Sequence, residues 1–454
     1  MATLQPYKKY NAIAYEYARQ LPDGWQLLPN IAVFQERIER GHINEELLSV
    51  TIGRGVIRQT DVDIKKDSSN EDKSKYKLIK VGDIAYNKMR MWQGALGYSD
   101  YQGISSPAYV ILKPKMKINP RYFHYMFRTS FYTNYSKRFS YGIVDDQLSL
   151  RYTDFKRMYS IFPPIEVQNS IVAYLDKKNN AIEKFIRNKE RLIELLEERK
   201  STIINEAICG RLGYDTKKEK KIVSYINGKE EEFENSKFEW IGKTPRKWKY
   251  KKLPWVSKFQ EGPGLRTWQF TNDGVKVICV TNITEAGIDF SLLTRCISEK
   301  EYKKKYKHFT INKGDYLLAS SGASWGKVAE YIDDENVILN TSTIRFNSVN
   351  HQLYLKQFIK WAMKSRYMAE HLNLLLTGSC QPNFGPSHLQ KLILNIPTIE
   401  IQKSIVEFIE SELSEIHKSI NIIKNEISST KEYREALITD LVMGKLSVPQ
   451  IQIN

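Results

Sequence analysis

The sequence predicts an α+β protein of duplicated design. Two mixed α/β globular domains are separated by two long helices that pair as an antiparallel coiled coil, and the whole carries an internal pseudo-twofold repeat. Three observations predict it. Residues Pro163–Leu212 align without a gap on Pro397–Leu446, at an offset of 234 and with 15 of 50 positions identical. Within each copy, apolar residues recur at three- and four-residue steps. The segments outside the copies mix short strand-like runs, such as AYVILK and KVICV, with Tyr/Phe-rich stretches such as RYFHYMF.

Each copy reads as one helix. Ile171, Leu175, Ile182, Phe185, Leu192, Leu196 and Ile203 form the stripe of the first, and Ile405, Ile409, Ile416, Ile420, Ile423, Ile427 and Leu437 that of the second. Pro163 and Pro164 stand before the first helix and Gly210 after it, the usual order of a residue that starts a helix and one that stops it. About 40 helical residues at 1.5 Å each give a rod of roughly 60 Å. Alone, such a rod exposes its stripe, so the two are expected to cover each other, an antiparallel pairing placing the globular halves at opposite ends. Lys178 and Lys189 fall on the seam of one copy and Glu412 and Glu426 on that of the other, which suits ion pairs across it.

These signals set the boundaries: a globular domain over 1–162, the first helix over 163–212, a lysine-rich link over 213–236, a second globular domain over 237–396, the second helix over 397–446 and a tail over 447–454. Weaker echoes link the globular parts. Tyr15, Pro22 and Trp25 match Phe238, Pro245 and Trp248 at an offset of 223, although no glycine answers Gly242, and Gly82-Asp83 parallels Gly314-Asp315. The framework is duplicated while the contents have diverged.

Composition narrows the function. The chain of 454 residues has 69 Lys and Arg against 52 Asp and Glu, a net charge of +17, and 41% hydrophobic residues. That excludes a disordered tail or fibre and suggests a polyanionic partner, nucleic acid first among them. No apolar run approaches the roughly 18 residues of a membrane helix and the N-terminus lacks a signal-peptide core, so a cytoplasmic protein is expected. Cys209, Cys279, Cys296 and Cys380 are widely spaced and read as reduced and structural.

Catalytic motifs are missing where a nucleic-acid enzyme would need them. Ser321–Val328 lacks the first glycine and terminal hydroxyl of a phosphate loop and reads as turn and strand. Phe162-Pro163-Pro164-Ile165 has neither the amide nor the aromatic of an amino-methyltransferase tetrapeptide, and the seven histidines show no ligand spacing. No catalytic residue and no metal is expected. Loops that could read base edges do stand out, because Arg, Lys, Gln and Asn present forked donors and acceptors. In the first domain they are Asn87, Lys88, Arg90 and Gln93, beside Trp92. In the second they are Arg266 and Gln269 beside Trp268, Ser320 and Ser321, and Gln381 and Asn383, with the basic run Lys303–His308 as a phosphate grip or a solvated face.

With PPIEVQNSIVAYLD…ICGRL, PTIEIQKSIVEFIE…VMGKL, EWIGKTPRKW, NKMRMWQGALGYSDYQGISSPAYV and TGSCQPNFGPSHLQKL together, the chain resembles, over essentially its full length, the specificity subunit of Type I restriction-modification systems. The resemblance implies a non-catalytic reader of double-stranded DNA, each globular part being a target recognition domain for one half of a split site. It implies helices that act as a spacer and dock two modification subunits, together with restriction subunits. It also implies that this chain binds no cofactor, S-adenosylmethionine, ATP and Mg belonging to the partners. A modification-only or other phage-defence assembly fits the same residues. Outside the family stand a nuclease or methyltransferase, expected to act alone, and a coiled-coil adaptor without sequence-selective DNA binding.

Overall fold

The computed structural model describes residues 4–15, 18–62, 73–142, 148–215, 220–223, 225–226, 229–230, 233–236, 238, 241–376 and 383–449. The chain forms two compact units, Met1–Glu190 with Lys424–Asn454, and Arg191–Ile423. This division cuts through both long helices. Each unit therefore joins one globular segment to the opening part of one helix and the closing part of the other.

The helices run Ile165–Ile208 and Ile399–Val442, 44 residues each. Both stop in the same way. Gly210 and Gly444 adopt φ of 74° and 72°, and the residue after each returns its N–H across the last turn, Arg211 to the Glu206 carbonyl and Lys445 to that of Asp440, both at 2.8 Å. The same two pairs add side-chain ion pairs at 2.7 and 3.1 Å. A Cβ on Gly210 would lie 2.6 Å from Pro245 and 2.8 Å from Trp248, and one on Gly444 would lie 2.7 Å from Pro22 and 3.0 Å from Trp25. The proline and tryptophan shared at an offset of 223 are thus the lid over each helix end.

Within the first unit, Lys189 of the first helix pairs with Glu426 of the second at 2.6 Å, and Asn179 and Glu183 share a cavity wall with Arg434 and Ile438. Rising numbers on one helix meet falling numbers on the other, and the pairing is antiparallel. In the second unit Lys200 and Ile204 likewise stand with Leu413 and His417. All seven stripe residues of the second helix are buried. The first helix departs from its predicted stripe, since Phe185 and Leu192 are 40% and 41% exposed while Ile186 is buried and Ile193 packs on the core. The buried seam shifts by one residue there, as a repeat of seven drifts around a helix of 3.6 residues per turn.

The globular parts share more than their sequences suggest. In the first unit the strands Phe34–Glu36, Tyr109–Pro114, Ile84–Asn87 and Leu96–Tyr98 lie side by side in that order, every neighbour antiparallel. In the second, Ser257–Glu261, Thr343–Ser348, Tyr316–Ala319 and Val328–Glu330 repeat the order and directions. Two helices follow each sheet, Pro120–Arg128 with Ser130–Arg138, and Lys356–Met363 with Arg366–Leu375. A strand pair then leads into each long helix, Gln26–Pro29 with Tyr159–Phe162 and Lys249–Lys252 with Ile393–Ile396. The units differ in what is inserted. The first carries the hairpin Leu48–Thr51 with Gly55–Arg58, and the second a five-stranded sheet that includes Val275–Ile278 and Val337–Leu339. The lysine-rich link forms strands of its own, Leu212–Asp215 pairing with Lys220–Val223.

Repeat identities outside the apolar stripe have structural causes. Gln168 is buried, its carbonyl oxygen accepting the Asn119 N–H at 2.9 Å and its amide donating to the Pro163 carbonyl at 2.8 Å. Gln402 does the same with Leu355 N–H and the Pro397 carbonyl, at 2.8 and 2.9 Å. Each glutamine fastens the start of a long helix to the start of the helix after the sheet. Gln402→Ala leaves those groups unpaired, and an unpaired buried polar group costs ~1–3 kcal/mol. Thermal unfolding should show the second unit melting first; an unchanged profile would contradict this role. Asp83 and Asp315 are also anchors, held by Arg37 at 2.7 Å and by Arg345 at 3.3 Å.

Cys209, Cys279 and Cys296 are buried free thiols, and Cys380 lies outside the described residues. Among the described residues, no group of three or more His, Cys, Asp or Glu could hold a metal ion, and no helix is long and apolar enough to cross a membrane.

Candidate DNA interface

The loop from Asn87 to Ala95 joins strand Ile84–Asn87 to strand Leu96–Tyr98, and the loop from Ser320 to Lys327 joins Tyr316–Ala319 to Val328–Glu330. They are the same connection of the same sheet. Lys88 N–H donates to the Ala108 carbonyl and its own carbonyl accepts Leu150 N–H; Ser320 N–H donates to the Ser342 carbonyl and its carbonyl accepts Phe384 N–H. In each unit three distant stretches meet at one knot.

A fourth stretch joins the knot of the second unit. A Cβ on Gly262 would stand 2.1 Å from the Asn340 carbonyl oxygen, so the backbone passes there only because the residue is glycine. Glu261 accepts the N–H of Ser342, a non-glycine residue at φ 61°. The loops holding Arg266, Ser321 and Asn383, separate in sequence, therefore converge on one corner of the second unit.

The predicted contact residues divide within these corners. Arg90 and Gln93 are exposed, and Asn87 and Lys88 are half-buried, the Asn87 amide oxygen turning the loop by accepting Met89 N–H at 3.0 Å. Trp92 is half-buried, donating its indole N–H to the Met89 carbonyl with Lys137 5.1 Å over its ring. Arg266 and Asn383 are exposed and Ser321 is half-buried. Gln269 and Ser320 face inward. Gln269 accepts Arg266 N–H at 2.9 Å and donates to the Tyr306 hydroxyl at 2.9 Å, while the Ser320 hydroxyl donates to the Ser342 carbonyl. Their polar groups hold the loops and are taken up inside the unit. Gln381 lies outside the described residues.

Two features of this corner are hard to place from the sequence. Trp268 is 78% exposed, although tryptophan is by composition as much a core residue as a surface one. The basic run is tied beside it through the Gln269–Tyr306 bond and through Gln260, which donates to the His308 carbonyl at 3.1 Å. Lys303, Lys304, Lys305, Lys307 and His308 are all exposed. One corner thus combines a forked cation for base edges, a large aromatic face and a row of cations for phosphates. The link between Gln269 and Tyr306, 37 residues on, had no local sequence signal.

Residues 245–428 match the family model of the Type I restriction modification DNA specificity domain. The Type I restriction enzyme MjaVIII specificity subunit of Methanocaldococcus jannaschii is 25% identical over 391 residues, covering 83% of this chain and 84% of that one. The chain is similar to a Type I specificity subunit over most of its length. The family match spans the second repeat, and the shared sheet order and the paired glutamines Gln168 and Gln402 extend the architecture to the first.

Two solved structures share the fold of this chain. A chain from a study of complex assembly and conformational transition of the type I R-M system gives a TM-score of 0.67 at 13% identity, over 93% of this chain and 98% of that one. The HsdS subunit of Thermoanaerobacter tengcongensis gives 0.51 at 15% identity, over 94% and 98%.

Proposed function

We propose that this chain is the sequence-recognition subunit of a Type I restriction-modification complex, reading a split DNA target with one corner of each unit. The observation that carries the reading is the duplication of that corner. The same loop of the same four-stranded sheet is built twice, and each corner exposes an arginine, Arg90 or Arg266, among groups that can contact bases. Asn87, Lys88, Arg90 and Gln93 serve one half-site, and Arg266, Ser321, Asn383 and Gln381 the other. Gln269 and Ser320 act through the loops they hold. The subunit is non-catalytic. It docks modification and restriction subunits in the cytoplasm, two of the former by this reading, and S-adenosylmethionine, ATP and Mg belong to those partners.

The basic run gives a quantitative test. Each phosphate contact contributes about −0.9 to the slope of log affinity against log salt on duplex DNA. Lys304→Gln with Lys305→Gln should therefore flatten that slope by up to about 2 while leaving base preference intact. An unchanged slope would make the run a solvated face, and a changed base preference would give it a reading role.

A further inference from the structure

Each corner carries the same four-residue pattern around its exposed arginine, Arg90-Met91-Trp92-Gln93 in the first unit and Arg266-Thr267-Trp268-Gln269 in the second. Both fold as one turn of 3₁₀ helix, Met91–Gln93 and Thr267–Gln269, with the arginine at the entrance. Both turns close alike, the Arg90 carbonyl accepting Gln93 N–H at 3.1 Å and the Arg266 carbonyl accepting Gln269 N–H at 2.9 Å. Shared strand topology does not cause the recurrence. The first turn lies between Ile84–Asn87 and Leu96–Tyr98, whereas the second follows Ser257–Glu261.

The two turns use their tryptophans differently. Trp92 is half-buried, its indole N–H donating to the Met89 carbonyl at 3.1 Å and its ring lying under Lys137 at 5.1 Å. In the second turn other residues take the inward places. Leu265 and Phe270 pack on the core around Val277 and Ile338, and Gln269 is buried against Tyr306. Arg266, Thr267 and Trp268 are left outside. Among the described residues the Trp268 indole has no hydrogen bond and no ring or cation contact. The turn therefore presents a guanidinium and a bare indole, two residues apart, between two side chains anchored in the core.

The surroundings narrow what can cover that ring. The row of cations from Lys303 to His308 is fastened beside it through Tyr306, and an apolar protein surface would have to desolvate those charges to reach the indole. Duplex DNA suits both, since its phosphates meet the cations and its major groove offers one apolar group, the C5 methyl of thymine. Base faces are covered by their neighbours until a step is unstacked, at a cost in stacking energy; the methyl is reached without that cost.

We propose that Trp268 is a specificity-determining residue, its indole packing against the C5 methyl of a thymine in the base pair next to the one that Arg266 reads. Trp92, taken up by Met89 and Lys137, gives the other half-site no equivalent contact. The proposal rests on the reading of these corners as DNA readers and adds the chemical group that one of them recognises.

The test is competition binding by the full chain, assembled with its modification subunit, to synthetic target duplexes in which each thymine in turn is replaced by deoxyuridine, which removes only the methyl. At one thymine of the half-site whose recognition Arg266→Ala relaxes, the unaltered chain should lose about fourfold in affinity, the equivalent of one buried methyl at ~0.8 kcal/mol. Trp268→Ala should bind the thymine and deoxyuridine duplexes alike at that position and keep the thermal stability of the unaltered chain, since the ring it removes lies outside the core. A half-site with no methyl-sensitive thymine would overturn the proposal, as would a methyl effect that persists undiminished in Trp268→Ala. A rise in 2-aminopurine fluorescence on binding that Trp268→Ala abolishes would also overturn it, placing the ring against an unstacked base instead. A complex that binds target and unrelated duplexes equally would fail differently, sinking the DNA-reading role itself.

Discussion

Arg266→Ala is expected to relax recognition of one half-site and to leave the other intact. The side chain is exposed and its loop is fixed by Gln269 and Gly262. A bidentate contact from arginine to a base pair discriminates by ~1–3 kcal/mol, so selectivity at the affected base pair should fall about 5- to 150-fold. Arg90→Ala should do the same at the opposite half-site. Competition binding with targets altered in one half at a time checks both. Loss at both halves from either substitution, or at neither, would contradict two independent readers.

The second large effect concerns the gap between half-sites. A seven-residue insertion made in both long helices at facing positions keeps the apolar seam in register and adds roughly 10.5 Å of helix. At 3.4 Å per base along each strand, the preferred gap should lengthen by about three base pairs. Both half-site sequences should stay as they were, and methylation at the original target should disappear. A variant that folds and still methylates the original spacing would show that the helices do not set the gap.

How far the sequence revealed this molecule depended on whether the signal was local. The helices were legible to within four residues, because proline, glycine and an apolar stripe act over a few turns. The Lys189–Glu426 ion pair was legible too, since both residues fell on predicted seams. The exposed Phe185 and Leu192 were not, because a strict repeat does not reveal where a real helix drifts. The shared sheet was hidden for another reason. An antiparallel sheet fixes hydrogen bonds and an inside–outside alternation and tolerates many side chains, so two sheets of one topology retained little more than the Gly-Asp turn.

The two loop corners were half legible. Residue type marked loops rich in Arg, Asn and Gln. It could not say that Gln269 spends its amide on Tyr306 and Arg266, or that Ser320 spends its hydroxyl on Ser342, since those partners are set by the fold. The same holds for Trp268, whose ring would suit a core equally well by composition. The fold exposes it beside Arg266 and the basic run.

The measurement that bears most directly on the central claim is a map of adenine methylation in the host genome, made by long-read sequencing with this gene intact and deleted. A two-part motif with a fixed gap should be methylated in the first strain and unmethylated in the second. Unchanged methylation, with this chain and its modification partner both expressed, would contradict the account and leave an adaptor without sequence-selective DNA binding as the reading to pursue.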